Sequence, residues 1–243
     1  GFGVVDPGAG FDLYRIEGVA DGVFNGGGGS TRIRNIRSGA TSIVDIAAIE
    51  ADPFTGQLHV IGATSAGGDR ALYTVAPGTG SATLVATLDD GGAISGDEFN
   101  ALAYDALGTT LYATRRAGGA DTLVTINTAS GVVTPVGFGT LLVNAANTNV
   151  QGMDFDSDGN LVAIDDTGGG ALRLITINTD PLAGGPGAST ELVVDADVPD
   201  TLAGYASDSL GTFYSVFNDG ASDNELWVSL DGGNHVPLDN TLG

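Results

Sequence analysis

Short apolar runs alternate with short polar breaks along almost the whole chain. Runs such as LHVIG, ALAY, LVAI and LITI are rich in β-branched and aliphatic residues, and they are separated by D-x-x-G, T-G, S-G or G-G. Alternation with period two, punctuated by turn residues, predicts strands joined by tight hairpins, and helix signals are poor.

The runs recur. Four segments align on a shared Asp: IAAIEADPFTGQLHVIG around Asp52, NALAYDALGTTLYAT around Asp105, QGMDFDSDGNLVAIDD around Asp156 and LAGYASDSLGTFYSV around Asp208, at intervals of 53, 51 and 52 residues. Between them lies a second set, in which Leu72, Leu123, Leu174 and Leu226 mark the same strand. Each repeat therefore contains two hairpins, or four strands A to D. One twisted sheet of this kind cannot bury both its faces alone, and a four-stranded unit repeated about every 50 residues is the signature of a β-propeller blade.

Overlaying the four copies of strand A separates its positions into two classes. Ile49, Leu102, Met153 and Tyr205 share one face, and the other carries the small residues Ala48, Ala101, Gly152 and Gly204, suited to crowded inner strands. Two positions on, Glu50 and Asp154 stand where the other copies carry Ala103 and Ala206, so both carboxylates are expected near the central channel.

The expected architecture is all-β, a single propeller domain over residues 1–243 with five blades. Residues 1–45 form an incomplete first blade, and 46–99, 100–150, 151–202 and 203–243 form the four that follow. FGVVD, FDLYRIEG and STRIRNIR supply strands B, C and D of the first blade, with no strand A before them. An edge without a partner is a template for strand addition from another molecule. NGGGGSTR at 25–32 falls where a C-to-D loop is expected.

Composition narrows the setting. The 30 acidic residues outnumber eight basic ones, all arginine, for a formal charge of −22. Nucleic acids and anionic membrane surfaces select for the opposite balance, so both are disfavoured as partners. With no cysteine there are no disulfides, zinc-thiolate sites or thiol nucleophiles. No apolar run approaches the roughly 20 residues of a membrane helix, so membrane insertion is not expected. The start at Gly1, without a basic or apolar leader, reads as a processed or excised segment. An Asp-rich, Gly-rich chain without lysine or cysteine fits a secreted or cell-surface location best.

The blade sequences carry a resemblance. ALYTVAPGTGSATLVATL and TLVTINTASGVVTPVG resemble the recurring LYTIDPATGAATLVG blade of secreted bacterial propeller proteins, and NALAYDALGTTLYAT is similar to the hairpin that precedes it. The resemblance covers residues 46–238 well. It implies a propeller and an extracellular or cell-surface module, and it transfers no catalytic residue.

The candidate chemistry is sparse. Residues 154–165 match a calcium loop at Asp154, Asp156, Asp158 and Asp165, with Asn160 as a further oxygen donor, which makes calcium the one cofactor expected. The flanking runs are strands rather than helices, and Asp156 recurs in every copy, so its first duty is to the turn. Asp89 and Asp90, and Asp195, Asp197 and Asp200, are looser acidic groups expected to be solvated. His59, His235 and Trp227 read as structural. Arg115 and Arg116 read first as a solvated loop pair, and otherwise as a positive spot for a carboxylate or an acidic neighbour. No G-x-S-x-G elbow occurs. The expected function is a non-enzymatic extracellular structural or adhesive propeller, self-associating or binding other surface proteins or glycans. The alternative is a calcium-dependent enzyme or carbohydrate-binding propeller with its site on the axis, where Glu50 and Asp154 could serve.

Overall fold

A computed structural model describes residues 2–5, 12–15, 31–92, 94, 98–137, 140–143, 146–166, 172–179, 190–192, 201–207, 213–218, 224–229 and 236–242. Residues 25–30, Asp195, Asp197, Asp200, Asp208 and His235 lie outside them, as does the side chain of Trp227.

The described residues form antiparallel sheets in chain order. Strands β1 (Phe2–Val5), β2 (Asp12–Arg15) and β3 (Thr31–Asn35) make the first, and a two-residue hairpin follows, β4 (Arg37–Ser38) with β5 (Thr41–Ser42). The second blade is β6 (Val44–Ala51), β7 (Leu58–Ala63), β8 (Ala71–Val75) and β9 (Ala82–Thr87). The third is β10 (Glu98–Tyr104), β11 (Leu111–Ala117), β12 (Ala120–Ile126) and β13 (Val133–Pro135), and another small hairpin follows it, β14 (Leu142–Val143) with β15 (Ala146–Asn147). The fourth is β16 (Val150–Phe155), β17 (Leu161–Asp166), β18 (Leu172–Ile177) and β19 (Thr190–Leu192). The last is β20 (Thr201–Ser207), β21 (Phe213–Asn218), β22 (Asn224–Ser229) and β23 (Val236–Leu242). The fold is a β-propeller of four-stranded repeats whose first sheet has three strands. The first strands of consecutive full blades lie side by side, β6 on β10, β10 on β16 and β16 on β20.

The second, third and fourth blades bury both faces. Ile49, Val60 and Tyr73 of the second blade face a cluster that includes Ile36 and Ile43. Its opposite face, with Ala48, Ile61 and Leu72, packs on Leu102, Tyr104, Leu111 and Val124 of the third blade. That blade in turn sets Ala101, Ala103 and Leu123 against Met153, Leu161, Ala163 and Ile175 of the fourth. The small-residue face of strand A therefore meets the larger residues of the next blade, as the alternation requires.

The links between blades repeat as closely as the blades do. After β3, β9 and β13 a buried residue turns the chain inward: the Ile43 amide donates to the Ile36 carbonyl at 3.0 Å, Ile94 to Leu88 at 3.4 Å and Thr148 to Leu141 at 3.3 Å. Leu88 and Leu141 also donate to the carbonyls of Arg70 and Asp121, at 2.8 and 2.7 Å. At the rim, the end of one outer strand bonds to the start of the next, Arg37 to the Gly80 carbonyl at 3.2 Å and Asp89 to the Gly131 carbonyl at 3.1 Å. Gly131 has φ +74°, and a Cβ there would sit 2.6 Å from the Thr87 carbonyl oxygen and 2.7 Å from the Ala86 Cβ. The glycine of the S-G turn is thus needed for the neighbouring blade as much as for the hairpin.

One buried group breaks the pattern. The Thr114 hydroxyl is fully buried and has no hydrogen-bond partner. Thr114 lies opposite Ala101, whereas Ile61, Ile164 and Val216 lie opposite the equivalent Ala48, Gly152 and Gly204. An orphaned hydroxyl costs about 1–3 kcal/mol. Thr114→Val is expected to raise the melting temperature by about 2–4 °C in thermal denaturation, the shift that about 1 kcal/mol produces in a domain of this size. Gly131→Ala is expected to cost about 2 kcal/mol or more, because strain and collision combine. Gly118→Ala is the control, with φ +63° and nothing within 4 Å, and should cost about half as much in the same chemical-denaturation series.

Candidate functional site

The Asp-rich hairpin joins β16 to β17. The Gly159 amide closes it on the Asp156 carbonyl at 3.0 Å, and Gly159 itself has φ +83°, the left-handed residue of a type I turn with a bulge. The Asp156 carboxylate accepts the amides of Asp158 at 3.0 Å and Asn160 at 2.8 Å on Oδ1, and the Asn160 side-chain amide at 2.9 Å on Oδ2. Asp105 holds its own turn in the same way, through Thr109 and Thr110. The two oxygens of Asp156 are spent on the turn.

The proposed calcium ligands do not converge. Phe155 pairs with Leu161 next to the turn, but Asp165 pairs with Val150 at the far end of the hairpin. There Asp165 is fully buried and accepts the Asn149 amide at 2.5 Å. Asp154 turns back to accept its neighbour's amide, Phe155, at 2.8 Å, and Asp158 and Asn160 stay exposed at the tip. Calcium takes about six to eight oxygens at one point, which Asp154, Asp156, Asp158, Asn160 and Asp165 do not supply together. Among the described residues, no group of three or more His, Cys, Asp or Glu is placed to hold a metal ion.

The inner strands bring a different pair into electrostatic contact. Glu50 on β6 and Asp154 on β16 occupy equivalent positions two blades apart. Glu50 Oε1 accepts the following amide, Ala51, at 2.9 Å, as Asp154 does with Phe155. Burial pushes the Glu50 carboxyl well above its usual 4.5, and the charge of Asp154 pushes it further, against the hydrogen bond from Ala51. A carboxylic acid beside a carboxylate can share a proton, donate one, or hold a cation between them.

Next to this pair, His59 lies opposite Glu50 across β6 and β7. Its Nδ1 is 3.2 Å from the Tyr104 hydroxyl of the next blade, and the rings meet edge to face at 5.6 Å between centroids. Burial lowers the His59 pKa, more than the charge of Asp52 and the Gln57 backbone raise it. Burial likewise raises that of Tyr104, with Asp52, Glu50 and Asp105 adding to the effect. The next interface repeats the arrangement with Tyr112 and Phe155, centroids 5.5 Å apart. His59 is therefore an interblade packing residue, as its sequence context suggests.

Other described charges tie strands to one another and to the links between blades. Arg115 pairs with Asp90 at 2.6 Å, so the basic dipeptide finds acidic neighbours. Arg116 Nη1 contacts Asp121 Oδ1 at 3.3 Å and donates to Asn149 Oδ1 at 2.7 Å and to the Thr148 carbonyl at 3.2 Å. Asp121, fully buried, accepts the Val150 amide at 2.6 Å; burial raises its pKa, and these partners pull the other way. Arg70, also buried, bonds both the carbonyl and the carboxylate of Asp45 at 2.8 Å. Asp45 has φ +54°, a left-handed conformation that Asp tolerates better than most residues. Sequence reasoning missed Asp45, Arg70, Asp121 and Asn149. The available signal was a charge at the same place in two copies, Arg70 and Asp121, each two residues before the marker leucine of an apolar strand.

The repeat has relatives. A family profile described as a repeat of unknown function (DUF6923) matches residues 60–201, more than half of the chain. The chain belongs to that family. No curated protein matches this DUF6923 chain in sequence. Among solved structures, it is similar to TolB from Acinetobacter baumannii, with TM-score 0.55 and 13% identity over 95% of this chain and 49% of that one. The DUF6923 chain thus spans about half the length of that protein. It is similar to a chain in a Nidogen/Laminin complex, with TM-score 0.58 and 14% identity over 98% of this chain and 77% of that one. It is also similar to the gluconolactonase XC5397 from Xanthomonas campestris, with TM-score 0.51 and 14% identity over 80% of this chain and 62% of that one. Their varied roles on one architecture make the likeness one of fold.

The raised Glu50 pKa has a definite sign in stability. Between 4.5 and its folded value, the unfolded chain has lost a proton that the folded one keeps, so this group lowers stability as pH rises through that window. Asp52 and Asp105 act at lower pH and in the opposite sense. Burial would raise their pKa values, but hydrogen bonds from the turns outweigh it, and the stability they contribute is lost as pH falls. Glu50→Gln is therefore expected to raise the melting temperature at pH 7 by about 2 °C or more and to change it little at pH 4. Thermal melts at the two pH values check this.

Proposed function

We propose that this propeller is a non-enzymatic extracellular module with a structural or adhesive role, secreted or held at the cell surface. The observation that carries this reading is where its buried polar groups are spent. Arg70, Asp121 and Asp165, each nearly or fully buried, bond to the first residues of inner strands or to the link just before them, and Arg116 joins them. Buried polar networks with every member satisfied stiffen a fold and fix its register. Stiffness in an acidic, cysteine-free body suits a scaffold whose partners are copies of itself, neutral glycans or other surface proteins.

A second reading, a ligand or catalytic site on the axis, has one observation in its favour: Glu50 and Asp154 replace the alanines of the other copies and raise the pKa of Glu50. Replacing a small apolar residue by a carboxylate that destabilises the fold is the kind of local exception that functional sites carry.

Labelled purified protein applied to cells of the organism that produces it distinguishes the two. Surface retention, unchanged in the Glu50→Gln, Asp154→Asn double variant, is the expected result. Retention lost in that variant would move the site to the axis. Absence of retention, together with a single 24.2 kDa species in sedimentation at high concentration, would overturn the structural or adhesive role.

A further inference from the structure

A groove of about 390 Å³ opens between the turn after β10 and the turn between β12 and β13, lined by Thr110, Thr125, Asn127, Ser130, Val132 and Thr134 among others. All of its lining side chains are uncharged, although the chain carries 30 acidic residues. The nearby Asp105 carboxylate is engaged by Thr109 and Thr110.

The second blade shows what fills this space elsewhere. Gln57 and Thr110 both immediately precede the second strand of their blade, and Val75 and Ile126 both end the third. Gln57 reaches across, and its Nε2 donates to the Val75 carbonyl at 2.8 Å and to the Leu58 carbonyl at 3.2 Å. Thr110 is too short to do the same, and Ile126 lines the groove instead. The blade-three groove is thus the vacated place of a carboxamide, beside a carbonyl able to accept a second hydrogen bond.

Two further groups suit the same occupant. Asn127 Oδ1 accepts the amides of Ala129 at 2.9 Å and Ser130 at 3.0 Å, which orients its Nδ2 away from the turn as a donor. Val132 stands 47% exposed and offers an apolar surface beside the hydroxyls. An acetamido group supplies an N–H for the Ile126 carbonyl, a carbonyl for Asn127 and a methyl for Val132, and a sugar ring supplies hydroxyls for Ser130 and Thr134.

We infer that the groove on the third blade binds a neutral glycan through a 2-acetamido sugar, taking the place that Gln57 fills in the second blade. The inference rests on the adhesive reading above and names its ligand class.

Titration of ¹⁵N-labelled protein with chitotriose tests it. Saturable amide shifts at Thr110, Asn127, Ser130 and Val132 are expected, with a Kd of about 1 mM or below, and maltotriose should bind about tenfold more weakly. Thr110→Gln, which supplies the residue the second blade already tolerates, should weaken chitotriose binding about tenfold or more while leaving the melting temperature near wild type. Absence of saturable shifts, shifts elsewhere only, or undiminished binding by Thr110→Gln would overturn the inference. Equal affinity for maltotriose would overturn the acetamido assignment, and saturation by a Gly-Gln-Gly peptide in place of the sugar would overturn the glycan. The titration uses a soluble sugar and purified protein, so its failure leaves retention on cells to stand or fall separately.

Discussion

The rest of the structure depends on each blade being apolar on both faces. A sheet carrying Ile49, Val60 and Tyr73 on one side and Ala48, Ile61 and Leu72 on the other has no face to give to water. Such a sheet is stable only between neighbours, and copies of itself arranged about an axis satisfy that condition. Small residues on one face of the inner strand then follow from crowding near the axis. The buried turn residues Ile36, Leu88 and Leu141 follow from the need to carry the chain from the outer strand back to the inner one without leaving its amides unpaired.

Charge is subordinate to that packing, and it is used sparingly inside. Arg70 and Arg116 are aimed at backbone carbonyls as well as at carboxylates, which satisfies several of the guanidinium donors at once and offsets the cost of taking the charge from water. Arg116 and Asp121 each hold several partners, so the fastening is shared among several contacts. Glu50 is of another kind. Its burial and the charge of Asp154 are opposed by the Ala51 amide alone, whereas the burial of Asp121 is opposed by Val150, Arg116 and Thr148 together.

The architecture was legible because it depends on things a sequence states directly. The period of the shared Asp residues, the alternation within strand A and the D-x-x-G turns each have a local physical cause, and Asp156 is a turn residue for the reason its recurrence in every copy suggests. The calcium ligand set was legible only as spacing. Asp165 is near Asp156 in number, but an extended strand carries it to the far end of the hairpin, where the Asn149 amide takes it. The electrostatic influence of Asp154 on Glu50 could be anticipated from register alone. The clamps of Arg70 and Asp121 could not, because their partners, Asp45 and Val150, stand at the starts of inner strands, just ahead of the residues that align between copies. The groove on the third blade was hidden for a similar reason: it is set by the difference between a Gln and a Thr at equivalent positions, visible once the Gln57 bond to Val75 is seen.

The rim junctions reach beyond a single molecule. Gly80 and Gly131 receive the preceding strand through the same carbonyl and the same left-handed turn, so successive blades present one socket and one plug. A gene segment that is duplicated or lost in whole units therefore meets a fitting joint already in place. Evolution can change the number of blades in such a chain without inventing a new interface.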